Sequence, residues 1–239
     1  MEIQISNISK TYGSVEVLSV ESLKVSSGES FGLIGNNGAG KTTLFRCLLD
    51  LIRPTTGEIN IGNETVVGNN AWKHFTGSYL DEGFLVGHLT PDEYFNFIAS
   101  IHGISSTDLD SKLAEYEPLF NGEIRGNKKL VRDLSKGNQK KVGIAAALLF
   151  DPKVLVLDEP FANLDPSTQI RLKELLKKLK TDRGVTMLVS SHDLMHVTEV
   201  CERIVLLEKG QVREDIRTSE DTLEKLESYF AGLGVEAAD

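Results

Sequence analysis

Nine consecutive residues, Gly35-Asn36-Asn37-Gly38-Ala39-Gly40-Lys41-Thr42-Thr43, have the composition and spacing of a loop that holds phosphate. Glycines let backbone amides turn inward around an anion, and the N-terminus of a following helix adds its positive end. In such a loop Lys41 is expected to reach the β- and γ-phosphates, the Thr42 hydroxyl to hold Mg²⁺, and Thr43 to donate to a phosphate. The pattern indicates nucleotide binding, but alone it does not choose among kinases, GTPase switches and ATPases. A second constellation, Asp158-Glu159, closes the apolar run Val154–Leu157. At the carboxyl end of a buried strand Asp158 would help hold Mg²⁺, and Glu159 would polarise the attacking water as general base. A second acid beyond the metal ligand favours hydrolysis over binding alone.

These residues need a scaffold. Ile3 and Ile5 alternate with polar neighbours, as a half-buried strand does, and 15–20 and 23–25 read as further short strands. Ser30–Ile34 reads as a buried strand feeding the Gly-rich loop, and 42–51 has helical spacing of apolar residues. Short strands are expected at 58–61 and 65–67. Thr90-Pro91-Asp92-Glu93 is a helix start, with a capping Thr, Pro in the first turn and acids at the positive end. Helices are expected at 109–119 and 138–150, so that the stretch from 93 to 150 is mostly helical. Afterwards strands at Val154–Leu157 and 186–190 alternate with helices at 166–180 and 194–201. A hairpin turning at Lys209-Gly210 and a helix at 222–230 close the chain. Apolar strands separated by helices predict an α/β fold with a parallel sheet covered on both faces.

The 239 residues are 40% hydrophobic and 26% charged, enough for one substantial core, and the net charge is −9. That balance argues against nucleic acid as a partner. Cys47 and Cys201 share no metal-ligand spacing and are expected to be buried, reduced thiols, in keeping with a reducing compartment. His74, His88, His102 and His196 show no ligand spacing and read as structural or surface residues. The N-terminus lacks the apolar core of a signal peptide, and the longest apolar run, 142–150, falls short of the ~20 residues a membrane helix needs. A soluble, cytoplasmic chain is predicted, with any membrane role supplied by a partner.

The order of the motifs resembles the ATP-binding cassette family over nearly the whole chain. The opening Ile5-Ser6-Asn7-Ile8-Ser9-Lys10-Thr11-Tyr12-Gly13 is similar to the family's start, which places Tyr12 where an aromatic stacks on adenine. Leu134-Ser135-Lys136-Gly137-Asn138-Gln139 resembles the signature LSGGQ, keeping Ser135 and Gly137 but carrying Lys136 and Asn138 in place of Gly and Gln. The resemblance implies that this loop faces the γ-phosphate of ATP held by a second subunit. Asn163-Leu164-Asp165 resembles the D-loop, a dimer contact, although Asp165 before Pro166 is also a plain helix cap. His192, in Ser190-Ser191-His192-Asp193, matches the switch histidine that contacts the γ-phosphate. Glu82, in Tyr79-Leu80-Asp81-Glu82, stands where the family carries Gln, with Asp81 the alternative register. Glu82 is thereby a candidate Mg²⁺ ligand that also adds repulsion toward the phosphate.

The resemblance implies a P-loop NTPase (RecA-like) core with an N-terminal antiparallel β subdomain and an inserted α-helical subdomain. The whole of 1–239 would be one ATPase domain, with 1–83 and 151–239 forming the core and 84–150 the helical signature lobe. It further implies ATP and Mg²⁺ as ligands, a head-to-tail homodimer around two ATP, and a separate membrane permease that holds the chain at the inner face of the membrane. Phe84, Leu85 and Val86 would line the groove that receives the permease, or pack inside the lobe. Lys136 and Glu82 resemble exporter-type subunits more than importers. A soluble ATPase acting on ribosomes or DNA is the competing reading, but this chain shows one cassette, no heptad run and an acidic balance. A kinase or GTPase switch shares only the phosphate loop.

Overall fold

A computed structural model describes residues 1–236, with side chains through 232; positions 237–239 of the expected core segment lie outside the described residues. Two sheets organise it. The first is antiparallel, in the order β2-β1-β4-β5, from β1 (Ile3–Tyr12), β2 (Val15–Val25), β4 (Thr56–Ile61) and β5 (Glu64–Thr65). The second runs β10-β9-β3-β8-β7-β6, from β3 (Ser30–Ile34), β6 (Thr76–Tyr79), β7 (Val154–Leu157), β8 (Thr186–Ser191), β9 (Arg203–Glu208) and β10 (Gln211–Arg217). Its strands from β9 to β6 pair in parallel, and only β10 turns back on β9.

The two-residue period of each buried strand sorts its side chains onto two cores. Val154, Val156, Phe31, Leu33 and Leu188 face the antiparallel sheet and α1 (Lys41–Leu48), around Phe45 and Trp72. Leu155, Leu157, Met187 and Val189 face the other way, toward Phe95, Phe120, Phe161 and Leu172. That second core includes the helices inserted between β6 and β7: α2 (Pro91–His102), α3 (Ser106–Glu115), α4 (Glu117–Phe120) and α5 (Lys136–Leu148). It also takes in α6 (Pro166–Arg183), α7 (Leu194–Val200) and α8 (Thr222–Glu236). Cys47 and Cys201 are buried and unbridged. Among the described residues no helix is long and apolar enough to cross a membrane.

Several expectations need correcting. The segments 15–20 and 23–25 are one strand, because ladder pairing with β1 holds Ser22 opposite Ser6 in between. The helix expected at 109–119 is divided into α3 and α4 at Tyr116, just ahead of Pro118, whose ring and missing N–H interrupt the hydrogen-bond ladder. The helix after the phosphate loop ends at Leu48 rather than Leu51, where Asp50 turns left-handed at φ 52°. The signature helix starts earlier than 138, at Lys136, because Ser135 caps it by accepting from Asn138 N at 3.2 Å. β6 was not anticipated, since Thr76-Gly77-Ser78-Tyr79 is no apolar run. It is a strand because it pairs with β7 and packs on α5 so closely that a Cβ on Gly77 would lie 2.1 Å from Ala147 O. The capping box at Thr90 is present, with Thr90 N donating to Glu93 Oε2 at 2.8 Å.

Candidate functional site

Three adjacent strands, β3, β8 and β7, point their carboxyl ends at one crevice, where ligands of open α/β sheets sit. β3 delivers the phosphate loop, β7 delivers Asp158 and Glu159, and β8 delivers His192. The loop turns at Gly40, φ 106°, and the β1–β2 hairpin presses on it: a Cβ there would meet Val17 O at 3.0 Å. Lys41 is buried and folded back on its own loop, donating to Gly35 O at 2.5 Å and Asn36 O at 3.4 Å. An anion seated on the loop would take over those donors. Asn36 to Ala39 carry the remaining loop backbone, Gly38 with φ 82°, and Thr43 stands half-buried in the first turn of α1.

Thr42 Oγ1 donates to Asp158 Oδ2 at 2.6 Å, and Ser190 Oγ donates to the other oxygen of Asp158. Burial pushes the Asp158 carboxyl above the usual range, while those two hydroxyls pull it down. A hydroxyl and a carboxylate converging from loop and strand form an all-oxygen donor set, which suits Mg²⁺. Glu82 does not join them. Its Oε1 lies 2.5 Å from Lys136 Nζ, and its Oε2 accepts from Tyr79 at 3.5 Å. The hydrogen bond from Lys136 holds its carboxyl below the usual value. Asp81 instead closes its own 3-10 turn by accepting from Gly83 N at 2.7 Å and lies 3.9 Å from Arg46 Nη2 of α1. Two of the three departures from the family pattern, Glu82 and Lys136, therefore face each other within one chain.

Glu159 is at the centre of the crevice. Its Oε1 lies 3.7 Å from Lys41 Nζ and its Oε2 lies 2.9 Å from His192 Nδ1, with the His side chain 58% exposed. Its backbone N–H donates to Ser190 Oγ at 2.9 Å, and it adopts φ 47°, a left-handed conformation rare for a non-glycine. Asp165 caps α6, accepting from Thr168 N at 3.0 Å and Ser167 Oγ at 2.6 Å, so the plain cap role is met inside the chain. Gly137 stands against the same loop: a Cβ on it would lie 3.1 Å from Asn163 O. Tyr12 closes β1, 52% exposed, with Lys10 Nζ 4.9 Å from its ring centroid.

The sequence reading missed Lys140. It is buried beside this site and donates to Glu159 O at 2.6 Å and Ala162 O at 2.7 Å. Burial draws its ammonium down to about 8, against the pull of Glu82, Glu159 and Asp158. The signal available in the sequence was two lysines inside the run Gln139-Lys140-Lys141-Val142-Gly143-Ile144, on a helix buried nearly all round. Elsewhere, Phe84 and Leu85 line a cavity of about 370 Å³ with Trp72, Tyr94, Ile98 and His102, and Leu85 and Val86 both pack, partly buried, against the second core.

Comparison with known proteins follows the same lines. The profile of the family described as ABC transporter matches residues 18–162. The uncharacterized ABC transporter ATP-binding protein YhaQ of Bacillus subtilis is 36% identical over 87% of this chain and 69% of its own. The methionine import ATP-binding protein MetN 1 of Oceanobacillus iheyensis is 34% identical over 95% of this chain and 71% of its own. The bacitracin transport ATP-binding protein BcrA of Enterococcus faecalis is 31% identical over 91% and 70% respectively. Two cyanobacterial relatives are matched over only 56% and 57% of their length. Among solved structures, the dimeric ATP-binding cassette MJ0796 in a post-hydrolysis state bound to ADP and Pi is 26% identical, with a TM-score of 0.82 over 91% of this chain and 99% of that one.

Proposed function

This chain belongs to the ABC transporter family as an ATP-binding ATPase, and we propose that it works as a head-to-tail homodimer that hydrolyses two ATP and drives a separate membrane permease. The observation that carries the catalytic reading is Glu159, held between Lys41 at 3.7 Å and His192 at 2.9 Å in front of the phosphate loop. Bound ATP would draw Lys41 from Gly35 O onto its β- and γ-phosphates, and Glu159 would then be free to accept a proton from water in line with the γ-phosphate. His192 orients that carboxylate and reaches for the γ-phosphate. Tyr12 would stack on the adenine. Thr42 and Asp158 would hold Mg²⁺, whose charge offsets that of the phosphates. Glu82 is tied to Lys136 rather than to Thr42 or Asp158.

Ser135 caps α5, and its hydroxyl and the first amides of that helix are the donors offered to the γ-phosphate of a partner's ATP. Gly137, against the loop that leads to Asp165, would face the same ATP, and Asp165 would touch the partner. Support for the dimer comes from the dimeric cassette of similar fold. The permease would dock at the cavity beside Phe84 and Leu85 and would hold the chain in the cytoplasm at the inner face of the membrane. The Lys136–Glu82 pair supports export, while the relatives include a methionine import protein.

Glu159→Gln tests the catalytic reading. ATP binding, followed by a fluorescent analogue, is expected to stay within about threefold of the parent. Turnover is expected to fall by ~10²–10⁴, the range for loss of a general base. Hydrolysis near the parental rate would remove Glu159 from this role.

A further inference from the structure

Lys140 lies in the second turn of α5 and is 5% exposed. A buried ammonium must be paired or hydrogen-bonded to be tolerated. Among the described residues no carboxylate lies within 4.0 Å of it; Lys140 spends its charge on two main-chain carbonyls, those of Glu159 and Ala162, at 2.6 and 2.7 Å. The Tyr79 ring, 5.9 Å away at its centroid, forms the third wall. The loop it grips is unusual in its backbone. Glu159 and Asn163 both adopt left-handed conformations, φ 47° and φ 62°, without being glycine. Such conformations persist only where the surroundings over-determine them, and two charge-assisted hydrogen bonds across the turn do that. Gly137, on the same helix one turn earlier, lets Asn163 O approach the helix closely.

We infer that Lys140 is a positioning residue: from the helix whose start carries Ser135, it clamps the Glu159–Asn163 turn and so aims the Glu159 carboxylate at the phosphate loop. This rests on the reading of Glu159 as general base. The consequence is that the base is aligned only while α5 keeps its distance from the end of β7. Any shift of the helical lobe against the core is felt at Glu159 through these two hydrogen bonds, with no contact to nucleotide required.

The test compares Lys140→Met, Lys140→Arg and Glu159→Gln in the full chain, reading kcat, the KM for ATP and the thermal midpoint. Lys140→Met keeps the length and loses the donors. Its kcat is expected to fall about 10- to 100-fold, the scale of an ångström of misplacement, with KM within about twofold of the parent. Lys140→Arg, which keeps a charged fork of donors, is expected to recover most of the loss. A parental kcat in Lys140→Met overturns the inference, and so does an equal loss in kcat and ATP affinity, or a loss that Arg leaves untouched. If Lys140→Met does not fold, Lys140→Gln replaces it in the same comparison. Full turnover by Glu159→Gln would sink the reading of the base itself. A parental Lys140→Met beside an inactive Glu159→Gln would sink only the positioning role.

Discussion

At the residue scale the proposed chemistry rests on Lys41, Thr42, Asp158 and Glu159, legible in the Gly-rich loop pattern and the acidic strand end, and on His192, which only the resemblance to the family singles out. What no pattern could give is who touches whom. Glu82 and Lys136 each read as a local oddity, yet they form one ion pair at 2.5 Å. With 63% of the Lys136 side chain and 26% of the Glu82 side chain exposed, the pair is a surface interaction and should contribute about 0.5 kcal/mol. A double-mutant cycle with Glu82→Gln and Lys136→Gly, read by urea unfolding, should return a coupling of that order that shrinks in high salt. Because Lys136 holds the Glu82 carboxyl below its ordinary value, the coupling should be full above about pH 4.3 and disappear as the pH drops through the folded pKa beneath it. Additive effects at pH 7 would mean that the pair is incidental. Lys140 escaped sequence reading for a related reason. A lysine on a helix is normally solvated, and only the packing of α5 under the Glu159–Asn163 turn buries this one.

At the element scale, the long, periodic or well-capped segments were readable, as α2 shows with its Thr90–Glu93 capping box. The missed element is β6. Its residues have no strand signature because the position is dictated by two neighbours, the β7 ladder on one side and the α5 backbone on the other. Gly77 is the contact point, and its lack of a side chain is what lets the helical lobe close on the sheet. Gly77→Ala should therefore cost about 1–3 kcal/mol by overpacking and lower the thermal midpoint by several degrees. It should also reduce kcat, because α5 carries Lys140 and moves with the displaced contact. An unchanged midpoint would show that β6 and α5 pack less closely than described.

At the scale of the whole molecule, alternating strands and helices announced a parallel sheet, but not the order β9-β3-β8-β7-β6 that brings three motif-bearing strand ends side by side. That order arises from long-range pairing, which local pattern does not encode. The same limit applies one level higher. In the proposed assembly a second copy would bring the serine at the start of α5 onto the ATP held by the first copy's phosphate loop. Closed two-fold pairing would generate two equivalent sites. Sedimentation of the Glu159→Gln variant, with and without saturating Mg-ATP, tests this most directly, since hydrolysis cannot then undo the assembly. Twice the 26.3 kDa chain mass is expected with ATP and the single-chain mass without it. A nucleotide-loaded species that stays at the single-chain mass across the concentration range would contradict it.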